Sequence, residues 1–168
     1  EWMRGFPFAK LEDNLVKFLP QLYTPEHYCN FNFVSTAFNV TAVAEFWRWV
    51  ENLSLRTGVE ITPNFNFIAT NPGYVSPALT PEPDLAVAQL NHTLELVKQT
   101  KIYTGPYANF RLRRVVEGLE SVRTFIAHHA ALRDAETMRH CHEWRMQIAK
   151  MRGWDIFEPA PSVTLLNP

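Results

Sequence analysis

Two stretches decide the fold: Asn30-Phe31-Asn32-Phe33, and the same four letters 34 residues later, Asn64-Phe65-Asn66-Phe67. Each lies in a strand-like run, Tyr28 to Phe38 and Ile61 to Ala69, whose alternation of polar and apolar side chains is typical of a β-strand. Between the runs, apolar residues recur at helical spacing and Gly58 stands where a helix C-cap belongs. A strand, a helix and a strand at this period predict one βαβ unit with parallel pairing.

Alternation within these strands predicts two unlike faces. The Phe side of the sheet can pack against covering helices, and the Asn side can face a partly polar interior, as inside a barrel. The alternative is a chance tetrapeptide match in two ordinary strands.

Helical patterns occupy most of the remaining chain. Phe8 to Leu19 has apolar residues at helical spacing and is expected to stop at Pro20. Thr80 is a plausible N-cap with Pro81 at the first helical position. The last third contains two apolar stripes at helical spacing, and Asp134 can cap the second of these helices.

Composition excludes some classes of function. The chain has 168 residues, of which 46% are hydrophobic, enough for one sizeable core. Its 16 basic and 17 acidic residues nearly cancel, which gives no reason to expect a nucleic-acid or membrane surface. No apolar run approaches the roughly 20 residues that span a bilayer. The two cysteines, Cys29 and Cys141, fit neither a disulfide framework nor a metal motif, so we expect a cytoplasmic protein.

Taken in order, these features resemble a known family. Arg4, Gly5, Phe8 and Asn14 fit a phrase on a helix ahead of a later barrel strand in radical SAM enzymes of the twitch or SPASM-like kind. The last position of the phrase is leucine in the family, whereas this chain has Phe18 there, followed by Leu19. Three further segments are similar to the family: the strand end with Ser35, Thr36 and Asn39, the proline-rich loop Pro72 to Pro81, and the segment Arg152, Gly153, Trp154, Asp155 and Phe157.

The resemblance implies an α/β fold, a partial (β/α) barrel with parallel strands followed by a helical carboxyl-terminal region. Residues 1–104 would be the later βα units, and residues 105–168 a helical extension with an irregular tail. The family's CxxxCxxC signature is absent, and two cysteines 112 positions apart cannot hold its iron–sulfur cluster. We therefore expect the signature to precede Glu1 in a longer protein; the alternative is a degenerate relative without the cofactor.

The resemblance also implies a cofactor-facing edge. In the full-length protein the cofactors would be S-adenosylmethionine and a 4Fe-4S cluster, and this chain would contribute no cluster ligands. The candidate cofactor-binding residues follow the two strands: Ser35, Thr36, Asn39 and Asn71. Thr70 and Tyr74 are candidate substrate contacts. For Asn39 and Asn71, a cap or turn role is the alternative.

Two other clusters are suggestive in the sequence. His128-His129 and His140-Cys141-His142 lack the i+3 or i+4 spacing of helical metal ligands, so we predict no metal site there. Four arginines could form a nucleic-acid face, but two glutamates interleave with them and favour ion pairs along a solvated helix. The arginines are Arg111, Arg113, Arg114 and Arg123, and the glutamates are Glu117 and Glu120.

Two functions compete. The first is part of a radical SAM enzyme acting on an unknown substrate, a peptide or a small molecule, and catalytically incomplete alone. The second is a non-catalytic α/β interaction module that uses exposed aromatic side chains. No membrane partner is expected, and nucleic acid is disfavoured. Because part of an open barrel exposes strand edges, we expect the chain alone to self-associate.

Overall fold

The computed structural model describes residues 8–22, 29–69, 75–129 and 133–152. Along these residues the elements are α1 Phe8–Leu22, β1 Cys29–Ser35, α2 Val43–Thr57, β2 Ile61–Phe67, α3 Pro83–Gln99, α4 Ala108–His128 and α5 Ala135–Arg152. Short 3-10 turns occupy Val40–Ala42 and Pro77–Leu79. The residues at the two ends that carried part of the family resemblance, Arg4, Gly5 and the segment 153–157, lie outside the described residues.

The predicted parallel βαβ unit is confirmed. β1 pairs with β2 in parallel, and α2 connects them. The register places Asn32 opposite Asn64 and Phe33 opposite Phe65. The two Asn-Phe-Asn-Phe copies are therefore offset by two residues along the pair. Because two is an even number, the Asn side chains of both copies stay on one face of the sheet and the Phe side chains on the other. The Nδ2 group of Asn64 donates to Oδ1 of Asn32 at 3.1 Å across the pair.

The two faces of the sheet differ as expected. Phe33 and Phe65 are buried against α2, where Val43 and Trp47 are fully buried in the same cluster. The apolar stripe predicted for α2 is likewise confirmed. This core is the main source of stability, because burying a large apolar side chain contributes about 1.5–3 kcal/mol.

The enclosed barrel interior is not found. Within the described residues the sheet has two strands, too few to close. Asn30, Asn32 and Asn66 are exposed on the second face, and Asn64 is partly buried. The coarser prediction, helices combined with a small parallel sheet, is what the structure shows.

The outer edge of β2 is covered. The carbonyl of Ser35 accepts from the N–H of Ile68 at 3.4 Å, so the backbone groups of Ile61, Pro63 and Phe65 point away from β1. At Ile61 the N–H donates to Ser54 Oγ (3.2 Å) and the carbonyl accepts from Tyr103 Oη (3.0 Å).

Farther along this edge, α4 covers the backbone of β2. Gly118 lies against Phe65 so closely that a Cβ there would come within 3.2 Å of the Phe65 oxygen. Pro63 has no N–H to donate, but its nitrogen faces this edge, so the ladder with β1 loses no hydrogen bond. α4 thus stands where another strand would otherwise pair, and it ends the sheet on this side.

The predicted apolar stripe of α4 packs against α3. Its residues Val115, Leu119, Val122 and Ile126 are buried in one cluster with Leu90, Leu94 and Val97 of α3. α5 approaches the end of β1 instead: the ring of Trp144 lies 5.5 Å from that of Phe38, and Cys141 is buried.

Two helix boundaries were predicted wrongly. α1 continues through Pro20 to Leu22; Leu19 is buried, and the side-chain amide of Gln21 donates to the Lys17 carbonyl. α3 begins at Pro83 with Glu82 as N-cap, rather than at Thr80. A residue that precedes proline is disfavoured in helical conformation, and Glu82 has φ -122° and ψ 67°, outside the helical region.

Two helix ends were predicted correctly. Gly58 adopts the left-handed conformation (φ 69°) after α2, and its N–H donates to the Ser54 carbonyl. Asp134 accepts from the N–H of Thr137 (2.9 Å), which is the N-cap bond at the start of α5.

Candidate site at the carboxyl ends of the strands

The turn after β1 is held by the side chain of Asn39. Its Oδ1 accepts from the N–H of Thr36 (2.8 Å) and from Thr36 Oγ1 (3.1 Å), and its Nδ2 donates to the carbonyl of Val34 (3.0 Å). Asn39 occupies the N-cap position of the following 3-10 turn, but its side chain makes no cap bond there. The geometry therefore gives Asn39 a turn-closing role rather than a capping role, and its second amide N–H has no partner among the described residues.

Ser35 does not reach the open face of the sheet. Alternation places it on the same side as Phe33, which α2 covers, and it is fully buried. Its Oγ has no hydrogen-bond partner in the described part of the chain. A buried hydroxyl without a partner is costly, so this oxygen is the one candidate group at the strand end that lacks a local role.

The loop after β2 returns to the turn after β1. The N–H of Ala37 donates to the carbonyl of Val75 at 2.8 Å, and Ser76 Oγ accepts from the N–H of Ala78 at 3.4 Å. Residues 75–80 are buried. The other three predicted site residues, Thr70, Asn71 and Tyr74, lie outside the described residues. The structure therefore brings the two strand-end loops together at Ala37 and Val75.

An aromatic stack missed by sequence reasoning lies at the end of β2. Phe67 stacks on Phe125 with ring centroids 4.3 Å apart, and Phe125 lies 4.1 Å from the His129 ring. The His129 ring also contacts the Phe125 carbonyl through Nδ1 (2.9 Å). These rings border an open groove of about 430 Å³, together with Glu117, Glu120, Ser121, Thr124 and His128. The sequence carried only a weak sign of this aromatic stack, because only the packing of α4 on β2 brings the three rings together.

The arginines of α4 have specific partners. Arg113 pairs with Glu117 at 2.6 Å, and Arg123 donates to Asn91 Oδ1 at 2.9 Å. The hydrogen bond that Arg113 Nε donates to the Glu117 carboxylate raises the pKa of Arg113. Arg114 lies 6.0 Å from the ring centre of Phe110.

Arg111, by contrast, is buried at the opposite end of the sheet and forms an ion pair with Glu60. Glu60 also accepts from the N–H groups of Thr104 and Gly105, both at 2.9 Å. Burial by itself raises the pKa of the Glu60 carboxyl, but these N–H groups and the Arg111 charge outweigh it and hold the pKa below its usual value. This cluster fixes the start of α4. It lies at the amino end of β2, away from the carboxyl ends of the strands where the candidate site is.

The described residues do not fit an iron–sulfur cluster. Cys29 begins β1 and Cys141 lies on α5, and burial raises the pKa of both thiols. No group of three or more His, Cys, Asp or Glu side chains in the described ranges could hold a metal ion. Of the candidate S-adenosylmethionine contacts among the described residues, Ser35 is fully buried, and the side chains of Thr36 and Asn39 hydrogen-bond each other. The described part of the chain therefore accounts for no chemical step through either group.

Comparisons with known proteins leave the chain without a match: no family model, no curated protein and no solved structure is significantly similar to it. Within the described ranges, none of the helices combines the length and apolar character needed to cross a bilayer.

Proposed function

We propose that this chain supplies later strands of a radical-SAM-type α/β core, and that the cluster-binding cysteines belong to another part of the same polypeptide. The turns at Ala37 and Val75 would then orient S-adenosylmethionine or the substrate, a peptide or a small molecule. The observation that carries the proposal is the asymmetry of the sheet. α4 closes the β2 edge, whereas in the described residues no strand pairs with the outer edge of β1, and Asn30, Asn32 and Asn66 on the Asn face are exposed.

The physical argument concerns parallel sheets. Such sheets are normally covered on both faces, and a sheet of two strands rarely stands alone. Additional strands beside β1 would enclose the Asn face, which gives the partial (β/α) barrel expected from the sequence. The Asn32–Asn64 hydrogen bond would then line the polar interior of that barrel.

The residues of this chain would act by positioning. Asn39 holds the turn after β1, and the Ala37–Val75 bond fixes the second loop against it. When bound, S-adenosylmethionine would supply the sulfonium group for radical chemistry, and the residues of this chain would only orient it. Ligand groups at the carboxyl ends of parallel strands meet at one edge, which is where such folds place their sites.

The coding sequence tests the proposal first. It is expected to contain three closely spaced cysteines upstream of Glu1, and a start codon directly before Glu1 would contradict it. The longer protein, reconstituted anaerobically with iron and sulfide, should show the broad visible absorption of a 4Fe-4S cluster. Replacing the three cysteines with alanine should abolish that absorption, whereas replacing Cys29 or Cys141 should leave it unchanged.

A second function, a non-catalytic interaction module, is favoured by a different observation. α1 exposes large apolar side chains: Leu11, Phe18 and Leu22. A contiguous apolar stripe of this kind often marks a protein contact. A polypeptide without upstream cysteines that still forms a stable complex through α1 would support this function over the first.

A further inference from the structure

The start of α4 exposes two aromatic side chains. Tyr107 is 61% exposed and Phe110 is 60% exposed, and neither belongs to a core cluster of the described residues. Arg114 is exposed as well, and its guanidinium lies 6.0 Å from the centre of the Phe110 ring. Spacings of three and four residues place the three side chains on one side of the helix, where they form an aromatic–arginine patch.

The aromatic–arginine patch carries a positive charge that the described residues do not neutralise. Glu117 is the carboxylate within one turn of Arg114 on α4, and it pairs with Arg113 at 2.6 Å. Arg114 itself has no hydrogen bond or ion pair with a described residue. α4 also begins without an acidic residue in its first turn, and the side chain of Tyr107, at the N-cap position, makes no cap bond. The partial positive charge of the helix start therefore adds to that of Arg114.

We propose that this patch binds an acidic segment of a protein partner. An Asp or Glu side chain of the segment pairs with Arg114, and a neighbouring apolar side chain packs on Tyr107 and Phe110. The composition of the patch fits this role, because Tyr, Phe and Arg are enriched where protein interfaces are most tightly packed. A guanidinium can hold a carboxylate through two parallel hydrogen bonds, which makes the contact selective for an acidic group.

Charge disfavours two other occupants of the patch. A second copy of the same patch would bring two unpaired arginines together, so a two-fold contact through it is unfavourable. A nucleic acid gains its affinity from several phosphate contacts, whereas the patch offers one unpaired arginine, and the exposed Glu117 and Glu120 follow on the same helix. An acidic protein segment needs only one favourable charge pair beside its apolar contact.

Selection of short random peptides on the 168-residue chain tests the chemistry of the partner. Peptides displayed on phage and retained by the wild-type chain should be enriched in Asp or Glu beside an aromatic or aliphatic residue. The same selection on the Arg114→Glu chain should lose this acidic enrichment. A selected peptide, synthesised with a fluorescent label, then gives the dissociation constant by fluorescence anisotropy.

Variants of the chain locate the bound peptide. Tyr107→Ala, Phe110→Ala and Arg114→Glu should each weaken binding at least about tenfold, because a few aromatic and arginine side chains carry most of the energy of an interface. The matched controls are Phe18→Ala, an exposed aromatic residue of α1, and Lys98→Glu, an exposed cation of α3. Both should leave the dissociation constant within about twofold. Circular dichroism of each variant checks that it folds.

Charge reversal tests the pairing itself. A peptide whose acidic residue is replaced by Lys should bind the Arg114→Glu chain more tightly than it binds the wild type, because the charges again match. Three outcomes would overturn the proposal. They are a selection without acidic enrichment, peptides whose affinity the three patch variants leave unchanged, and a labelled oligothymidylate that binds through these residues while acidic peptides do not.

The inference does not depend on the proposed function. The patch lies at the start of α4, where Glu60 binds the preceding turn at the amino end of β2, and the candidate site lies at the carboxyl ends of the strands. The strands that the proposed function adds lie beside β1, on the side of the sheet away from α4. Peptide binding is measured on this chain alone, whereas the radical SAM proposal depends on cysteines outside it.

Discussion

Gly118 of α4 lies against Phe65 of β2, and a Cβ at the glycine would come within 3.2 Å of both the carbonyl oxygen and the Cβ of Phe65. This close approach lets a helix occupy the position beside β2 where another strand could pair. It is therefore the contact that gives the sheet its closed side.

Substitution of Gly118 should destabilise the fold despite improving helix propensity. Gly118→Ala gains up to about 1 kcal/mol of propensity, but the new methyl group meets backbone that cannot rotate away. We expect a net loss of about 1 kcal/mol for Gly118→Ala and about 3 kcal/mol for Gly118→Val, measured by urea unfolding. Ser121→Ala, at an exposed position of the same helix, should change stability by less than about 0.5 kcal/mol. Equal stability of Gly118→Val and the wild type would contradict the contact.

Glu60→Gln should be strongly destabilising. Arg111 has 9% of its side chain exposed and Glu60 has 12%, so Glu60→Gln removes the carboxylate charge that pairs with a largely buried guanidinium. Breaking such a pair costs about 3–5 kcal/mol in the free energy of unfolding. The control is Glu117→Gln, which breaks the exposed pair with Arg113 and should cost less than about 1 kcal/mol. Similar losses in the two variants would argue against a buried role for Glu60.

The same carboxylate predicts a pH dependence. Its folded-state pKa lies below the ordinary value of 4.5, so its contribution is fully present above that pH. The contribution is lost as the pH falls through the folded-state pKa. The stability difference between the wild type and Glu60→Gln should therefore be constant near neutral pH and shrink below about pH 4.5. Urea unfolding at several pH values measures it, and a difference that grows on acidification would refute the assignment.

Asn39→Ala should separate a structural role from a ligand role. The substitution removes three side-chain hydrogen bonds that close the turn after β1, so we expect a loss of about 1–3 kcal/mol in unfolding free energy. Asn91→Ala, which removes the hydrogen bond that an exposed asparagine accepts from Arg123, is the control and should cost less than about 1 kcal/mol. An Asn39→Ala protein with unchanged stability would instead favour a role for this amide in binding.

Local patterns predicted much of the fold. The strand alternation gave the correct faces and the correct parallel partner, because a crossover helix of this length permits parallel pairing. The Gly58 and Asp134 caps were also predictable, since each depends on the chemistry of a few neighbouring residues. The predicted start of α3 was wrong because Pro81 and Pro83 both suit the first helical position, and the structure uses Pro83, with Glu82 non-helical before it.

The candidate site was less predictable. Sequence placed Ser35, Thr36 and Asn39 together after a strand, but could not show that Asn39 uses its amide within the turn. It also pointed Ser35 toward a ligand, whereas the pleat turns it toward α2. The Phe67–Phe125–His129 stack joins residues about 60 positions apart, and no local pattern links them.

By itself, the sequence determined the parallel strand–helix–strand unit, the apolar faces of its helices and two of their ends, because these follow from periodicity and from neighbours along the chain. Only the tertiary structure decided that α4 covers one sheet edge, while no strand among the described residues pairs with the other. That outcome depends on how closely Gly118 approaches Phe65 and on the burial of Arg111 beside Glu60, contacts between residues distant in sequence. Packing energies of this kind are set by three-dimensional proximity, which local patterns do not encode.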